Sequence, residues 1–146
     1  MEKENLLSFV KEADLVKFCQ EIVRIKSVNP PGDELPAAEY VASALRKIGL
    51  EVEVIKHSPT RASVLARLKS SRKKPSLLYN GHLDTVGTSG MTRAPLKAAF
   101  EGDKVFGRGA LDMKGGLAMG LLAFAAVKRS PAKLNRSVLF TGVVDE

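Results

Sequence analysis

Three short segments of this chain carry residue types suited to hydrolytic chemistry. They are Gly81-His82-Leu83-Asp84-Thr85-Val86, the stretch from Gly107 to Gly116 around Asp112 (GRGALDMKGG), and the terminal Val143-Val144-Asp145-Glu146. A neutral imidazole at His82 can ligate a divalent metal through one nitrogen. Asp84, two residues on, faces the same side of an extended chain and can accept the N–H of the other ring nitrogen, which fixes the tautomer and strengthens the ligand. Taken alone, His-x-Asp fits a hydrogen-bonded strand-end histidine and a turn aspartate at least as well. Asp112 stands just before an apolar helical run, where a carboxylate can cap free backbone N–H groups. The glycines at 107, 109, 115 and 116 permit two uses: close helix-to-sheet packing, or a tight loop that brings Asp112 beside His82. In the second case its two oxygens can bridge a pair of metal ions about 3.5–4 Å apart.

These segments need elements to hold them. Residues 14–26 place Leu15, Phe18, Ile22 and Ile25 at helical spacing, with Asp14 as the expected N-cap. After the turn Asn29-Pro30-Pro31-Gly32, a second helix is expected from Asp33 to Ile48, stopped by Gly49. The period then changes to two, with strands expected around 50–54 and over 62–68, 76–81 and 137–143. The run from Met113 to Val127 is apolar nearly all round and reads as a buried helix closed by Ser130 and Pro131. Alternating strands and helices predict an α/β layered sandwich with a central, mostly parallel sheet and helices on both faces. Each chemical segment then falls at the C-terminal end of a strand or in the loop after it, where open α/β sheets place their ligands.

Composition narrows the class. A chain of 146 residues, 45% hydrophobic, suffices for one packed domain. The formal charge of +7 invites a nucleic-acid partner, but the basic residues are scattered and no aromatics are interleaved with them, so none is expected. The exception is the run Lys69 to Lys74, read as a solvated turn between strands. No run reaches the roughly 18 apolar residues of a spanning helix, and the charged N-terminus lacks a signal-peptide core. The expectation is a cytoplasmic protein without a membrane partner. Cys19 reads as a small buried residue, and His57 as an exposed turn residue.

The sequences GHLDTV and GRGALDMKGG, followed about thirty residues later by a strand ending in Asp-Glu, together resemble the M20 family of metallopeptidases and deacylases. The resemblance runs from the first helix to the last residue and includes the segment between the first two motifs, which looks like the family's connecting loop; Gly87 stands where many members have proline. It implies His82 as a terminal metal ligand, Asp112 as the carboxylate bridging two divalent ions, Asp84 as the residue that orients His82, and Glu146 as the general base. The ions implied are zinc, with cobalt or manganese as alternatives. The substrate implied is a small molecule, an N-acyl amino acid or a peptide. The family's second glutamate, further ligands, and a smaller domain that often dimerises would lie outside residues 1–146. Those residues are thus expected to be the N-terminal part of a catalytic domain, inactive alone and prone to self-association. The alternative is a non-catalytic α/β remnant of such an enzyme.

Overall fold

In the computed structural model, residues 5–70, 75–131 and 133–146 are described. After a 3-10 turn at Leu6–Phe9, α1 spans Glu12–Arg24 and buries Phe18, Cys19, Ile22 and Val23 along one stripe. It starts two residues before the sequence expectation. Asp14 therefore lies in the first turn rather than at the cap, where with Glu12 it faces the positive end of the helix dipole. The second helix, α2, spans Leu35–Lys47, with Pro36 in its first turn, where a missing N–H costs nothing.

The strands are β1 (Glu51–Lys56), β2 (Ala62–Leu68) and β3 (Pro75–His82). A small hairpin follows, β4 (Ala99–Glu101) with β5 (Lys104–Phe106), then α3 (Gly115–Arg129) and β6 (Ser137–Val143). The main sheet runs β1-β2-β6-β3. Only β3 and β6 are parallel; β2 is antiparallel to both its neighbours. The sheet is thus mixed and mostly antiparallel, which corrects the expected mostly parallel arrangement. The reason is connection length: residues 57–61 close a tight turn in which the His57 and Ser58 N–H groups donate to the Arg61 carbonyl. A parallel crossover needs a dozen residues or more, and only the long passage between β3 and β6 provides one. The β4–β5 hairpin, expected as loop, has strands of three residues, too short to show a period.

One sheet face carries Val52, Val54, Val64, Ala66, Tyr79 and Phe140, and all three helices pack into the core built on it. Phe140 anchors that core between Tyr79, stacked at 5.5 Å, and Phe124, edge-on at 5.6 Å. The opposite face carries Ile55 and Leu78, exposed by 40% and 55%, and no described helix covers it. With the turn before it, α3 is long and apolar enough by composition to cross a membrane. Its burial of Leu117, Ala118, Leu121, Phe124 and Ala125 identifies it as the core helix of this layer. Of the basic run expected as a solvated turn, residues 71–74 lie outside the described residues, and Lys69 pairs with Glu51 at 2.9 Å.

Candidate metal-binding and catalytic cleft

The parallel register of β3 and β6 sets His82 opposite Val143, so both strands end side by side. The chain beyond β3 is strapped down on its way through Asp84. The Leu83 N–H donates to the Val143 carbonyl at 2.7 Å, and Leu83 itself is fully buried. Residues 27–29 then run alongside: Ser27 Oγ donates to the Leu83 carbonyl, the Thr85 N–H to Ser27, and the Asn29 N–H to Thr85, all at 2.7–2.9 Å. His82 and Asp84 are therefore held by backbone bonds before their side chains make any contact.

Asp112 arrives from the other side in an irregular turn, Ala110–Lys114, whose residues 112 and 113 leave helical geometry. This turn displaces the start of α3 to Gly115, so Asp112 does not cap it; the N-cap is Lys114. The turn folds back so tightly that a Cβ at Gly115 would lie 2.4 Å from the Ala110 carbonyl oxygen. Two long-range contacts seat it. The His82 N–H donates to the Met113 sulfur at 3.3 Å, and the fully buried Lys114 ammonium donates to the Ile25 carbonyl at the end of α1 at 2.6 Å. Burial pushes the Lys114 amine down to about 8.

The outcome is a close pair. His82 Nε2 lies 3.0 Å from Asp112 Oδ1, although the Asp112 side chain is 81% exposed. On the other side of the ring, Nδ1 lies 3.0 Å from the Asp84 carbonyl oxygen and 3.4 Å from the Asp84 carboxylate. The nearer acceptor is thus the backbone of Asp84 rather than its carboxylate. Burial disfavours the His82 cation, but the bonds to Asp112 and the Asp84 carbonyl, with the two nearby carboxylates, outweigh it and raise the pKa. Asp84 Oδ1 is buried with no hydrogen-bond partner.

Glu146 reaches the same place. Its backbone N–H donates to Asp84 Oδ2 at 3.3 Å, and the residue lines a cleft of about 290 Å³ with Asn29, His82, Asp84, Arg108 and Asp112. The structure therefore brings together all four residues singled out in the sequence. His57 lies elsewhere, exposed, with Nε2 2.9 Å from Ser63 Oγ. Cys19 is buried in α1, which pushes its thiol up. Sequence reading missed Asn29, Asp145 and Lys114, taken only as parts of a turn, a strand end and the second motif, and Arg61 altogether. Asn29 Nδ2 donates to both Asp84 Oδ2 (3.1 Å) and Asp145 Oδ1 (2.9 Å), bonds that join distant parts of the chain.

Among the described residues, no cluster of three or more His, Cys, Asp or Glu side chains is placed to hold an ion. The donor chemistry nevertheless suits a divalent metal: an imidazole nitrogen and a carboxylate oxygen converge, and a buried carboxylate oxygen behind the ring lacks a partner.

Residues 78–146 match the family described as peptidase family M20/M25/M40. A succinyl-diaminopimelate desuccinylase of Gluconacetobacter diazotrophicus is 37% identical over 132 residues, which cover 86% of this chain and 33% of that protein. A probable succinyl-diaminopimelate desuccinylase of Staphylococcus epidermidis is 30% identical over 129 residues, covering 86% and 31%. Among solved structures, the M20 family metallo-carboxypeptidase Sso-CP2 from Sulfolobus solfataricus aligns with a TM-score of 0.77 at 25% identity, over 88% of this chain and 30% of that one. The chain spans about a third of the length of the curated relatives it matches.

Proposed function

We propose that this chain, whose residues 78–146 match peptidase family M20/M25/M40, is the N-terminal part of the catalytic domain of a metal-dependent hydrolase of that family. Its target is an amide bond next to a free carboxylate, in an N-acyl amino acid or a peptide. One observation supports this above the others: His82 Nε2 and Asp112 Oδ1 stand 3.0 Å apart in a cleft that Glu146 also lines. In this reading His82 and Asp112 would hold the metal, with Asp112 as the carboxylate shared if two divalent ions bind, zinc or alternatively cobalt or manganese. When bound, such ions polarise the amide carbonyl and acidify water. Asp84 holds the His82 ring in one orientation, with Nδ1–H engaged and Nε2 directed into the cleft. Glu146 takes a proton from the attacking water and delivers it to the departing nitrogen.

Each ion needs about four ligands, and His82 and Asp112 supply only two. Residues 1–146 alone are therefore expected to hold metal weakly and to turn over no substrate, the remaining ligands coming from a longer protein with a smaller, dimerising domain. The test loads a protein extended to the length of the relatives with zinc, cobalt or manganese and assays amine release from a panel of N-acyl amino acids and dipeptides. Turnover that Glu146→Gln abolishes at unchanged metal content is the expected result. Full metal occupancy without turnover of any substrate would leave the non-catalytic remnant instead. Tight binding of two zinc ions by residues 1–146, found by elemental analysis after dialysis, would overturn the ligand assignment.

A further inference from the structure

A second network lies behind the cleft, and it starts from a buried charge. Glu34, 0% exposed, receives Arg61 Nε at 3.0 Å and Nη2 at 2.7 Å. A carboxylate so placed is tolerable only when paired and fully hydrogen-bonded, and the planar guanidinium fork supplies both. The turn after Asn29 is shaped around that fork: Gly32 has φ +99°, and a Cβ there would meet Arg61 Nε at 2.4 Å. Thr60 Oγ1 donates to the Gly32 carbonyl at 2.9 Å and closes the turn.

The same Nη2 also reaches Asp145 Oδ1 at 3.1 Å, and that oxygen accepts from Asn29 Nδ2 at 2.9 Å. Asp145 is one of two non-glycine residues with positive φ among the described residues, at 65°. It is where the chain leaves β6 and turns toward the cleft. Its carboxylate is gripped by Asn29 and Arg61, and the next N–H, that of Glu146, by Asp84. Asn29 Nδ2 touches Asp84 as well, so one amide ties the residue behind His82 to the residue before Glu146.

We propose that Asn29 and Arg61 are positioning residues for Glu146: by holding the Asp145 carboxylate they fix the Asp145–Glu146 peptide over Asp84 and aim the Glu146 side chain into the cleft. The anchor is Glu34, which fixes the guanidinium from behind. A lysine at 61 would not serve, because one ammonium on a flexible stem lacks the fork that meets two carboxylates at once. The inference rests on the reading of Glu146 as the base.

The test uses Asn29→Ala and Asp145→Ala, which leave the Glu34–Arg61 pair intact, with Arg61→Lys as a third variant, in the metal-loaded, catalytically competent protein. The expected result is a fall in kcat on the order of 10- to 100-fold, the scale of a misplaced catalytic group, with KM and bound metal unchanged; Arg61→Lys should also lower the melting temperature, because it strips the fork from buried Glu34. In residues 1–146 alone, the Glu146 amide should exchange with solvent faster in Asn29→Ala and Asp145→Ala than in the parent chain. Wild-type kcat in both alanine variants, where Glu146→Gln is inactive, would overturn the positioning role and leave the base in place. An active Glu146→Gln would instead overturn the base assignment.

Discussion

The two walls of the cleft differ in how they are held. The wall built from β3 and residues 27–29 is buried and crossed by backbone hydrogen bonds: Leu83, Asp84 and Thr85 are all inaccessible, and Ser27 and Asn29 bond to them. The wall built from residues 110–114 is open, with Leu111 exposed by 94% and Asp112 by 81%, and it is seated through Ala110, Met113 and Lys114. His82 belongs to the first and meets Asp112 of the second across a single 3.0 Å contact. The cleft thus joins one wall whose geometry is set by buried backbone pairing to one whose side chains are largely in solvent.

The largest difference should appear in stability. Leu83 is fully buried, with its side chain against Gly142, and Leu83→Ala should cost about 3 kcal/mol in urea unfolding through lost burial and the remaining cavity. Leu111→Ala, on the open wall, should shift the same curve by less than about 0.5 kcal/mol. Equal costs would mean that the 110–114 turn is packed as firmly as β3, and the comparison would fail.

Legibility in the sequence follows the same division. The strand ending at His82 and the apolar run of α3 were readable because burial on a regular element leaves a period. The glycines around Asp112 suggested a tight loop, and the turn Ala110–Lys114 is one. Capping, the alternative use open to Asp112 in the sequence, is not made, since an irregular turn separates it from the helix. Strand direction was misread because an apolar run carries no arrow; the tight turn at 57–61 held that information. Asn29, Arg61 and Lys114 left no local signal, because their partners lie 116, 84 and 89 positions away in the chain. A polar residue joined to its partner only by tertiary folding looks in the sequence like any residue of a polar turn or a solvated face.

A second effect concerns the buried anchor under the open wall. Lys114 holds its proton less well in the fold, at about 8, than in an unfolded chain, at 10.5, because burial penalises the ammonium. Between those values the unfolded chain binds more protons, so this residue makes stability rise with pH across the window and lowers it below about 8. Comparing Lys114→Met with the parent chain by urea unfolding isolates the contribution. The advantage of the variant should be on the order of 2 kcal/mol at pH 7 and should shrink by pH 10.5. A constant difference across that range would show the amine to be solvated, and the open wall to lack its buried root.

The smallest stability effect should coincide with the clearest loss of binding. Asp112→Asn removes a charge from an exposed side chain that no secondary structure depends on, so unfolding should move by less than about 0.5 kcal/mol. The amide keeps an oxygen but is a far weaker ligand than a carboxylate, so whatever cobalt(II) binding residues 1–146 possess, read from visible absorption, should drop at least about tenfold. Asp84→Asn bears on the buried wall and should act differently. Asp84 accepts from Asn29 and from the Glu146 backbone, so that change should lower both stability and metal binding. If Asp112→Asn unfolds the chain while Asp84→Asn does not, the rigid and open walls have been assigned the wrong way round, and His82 would owe its orientation to the turn rather than to the sheet.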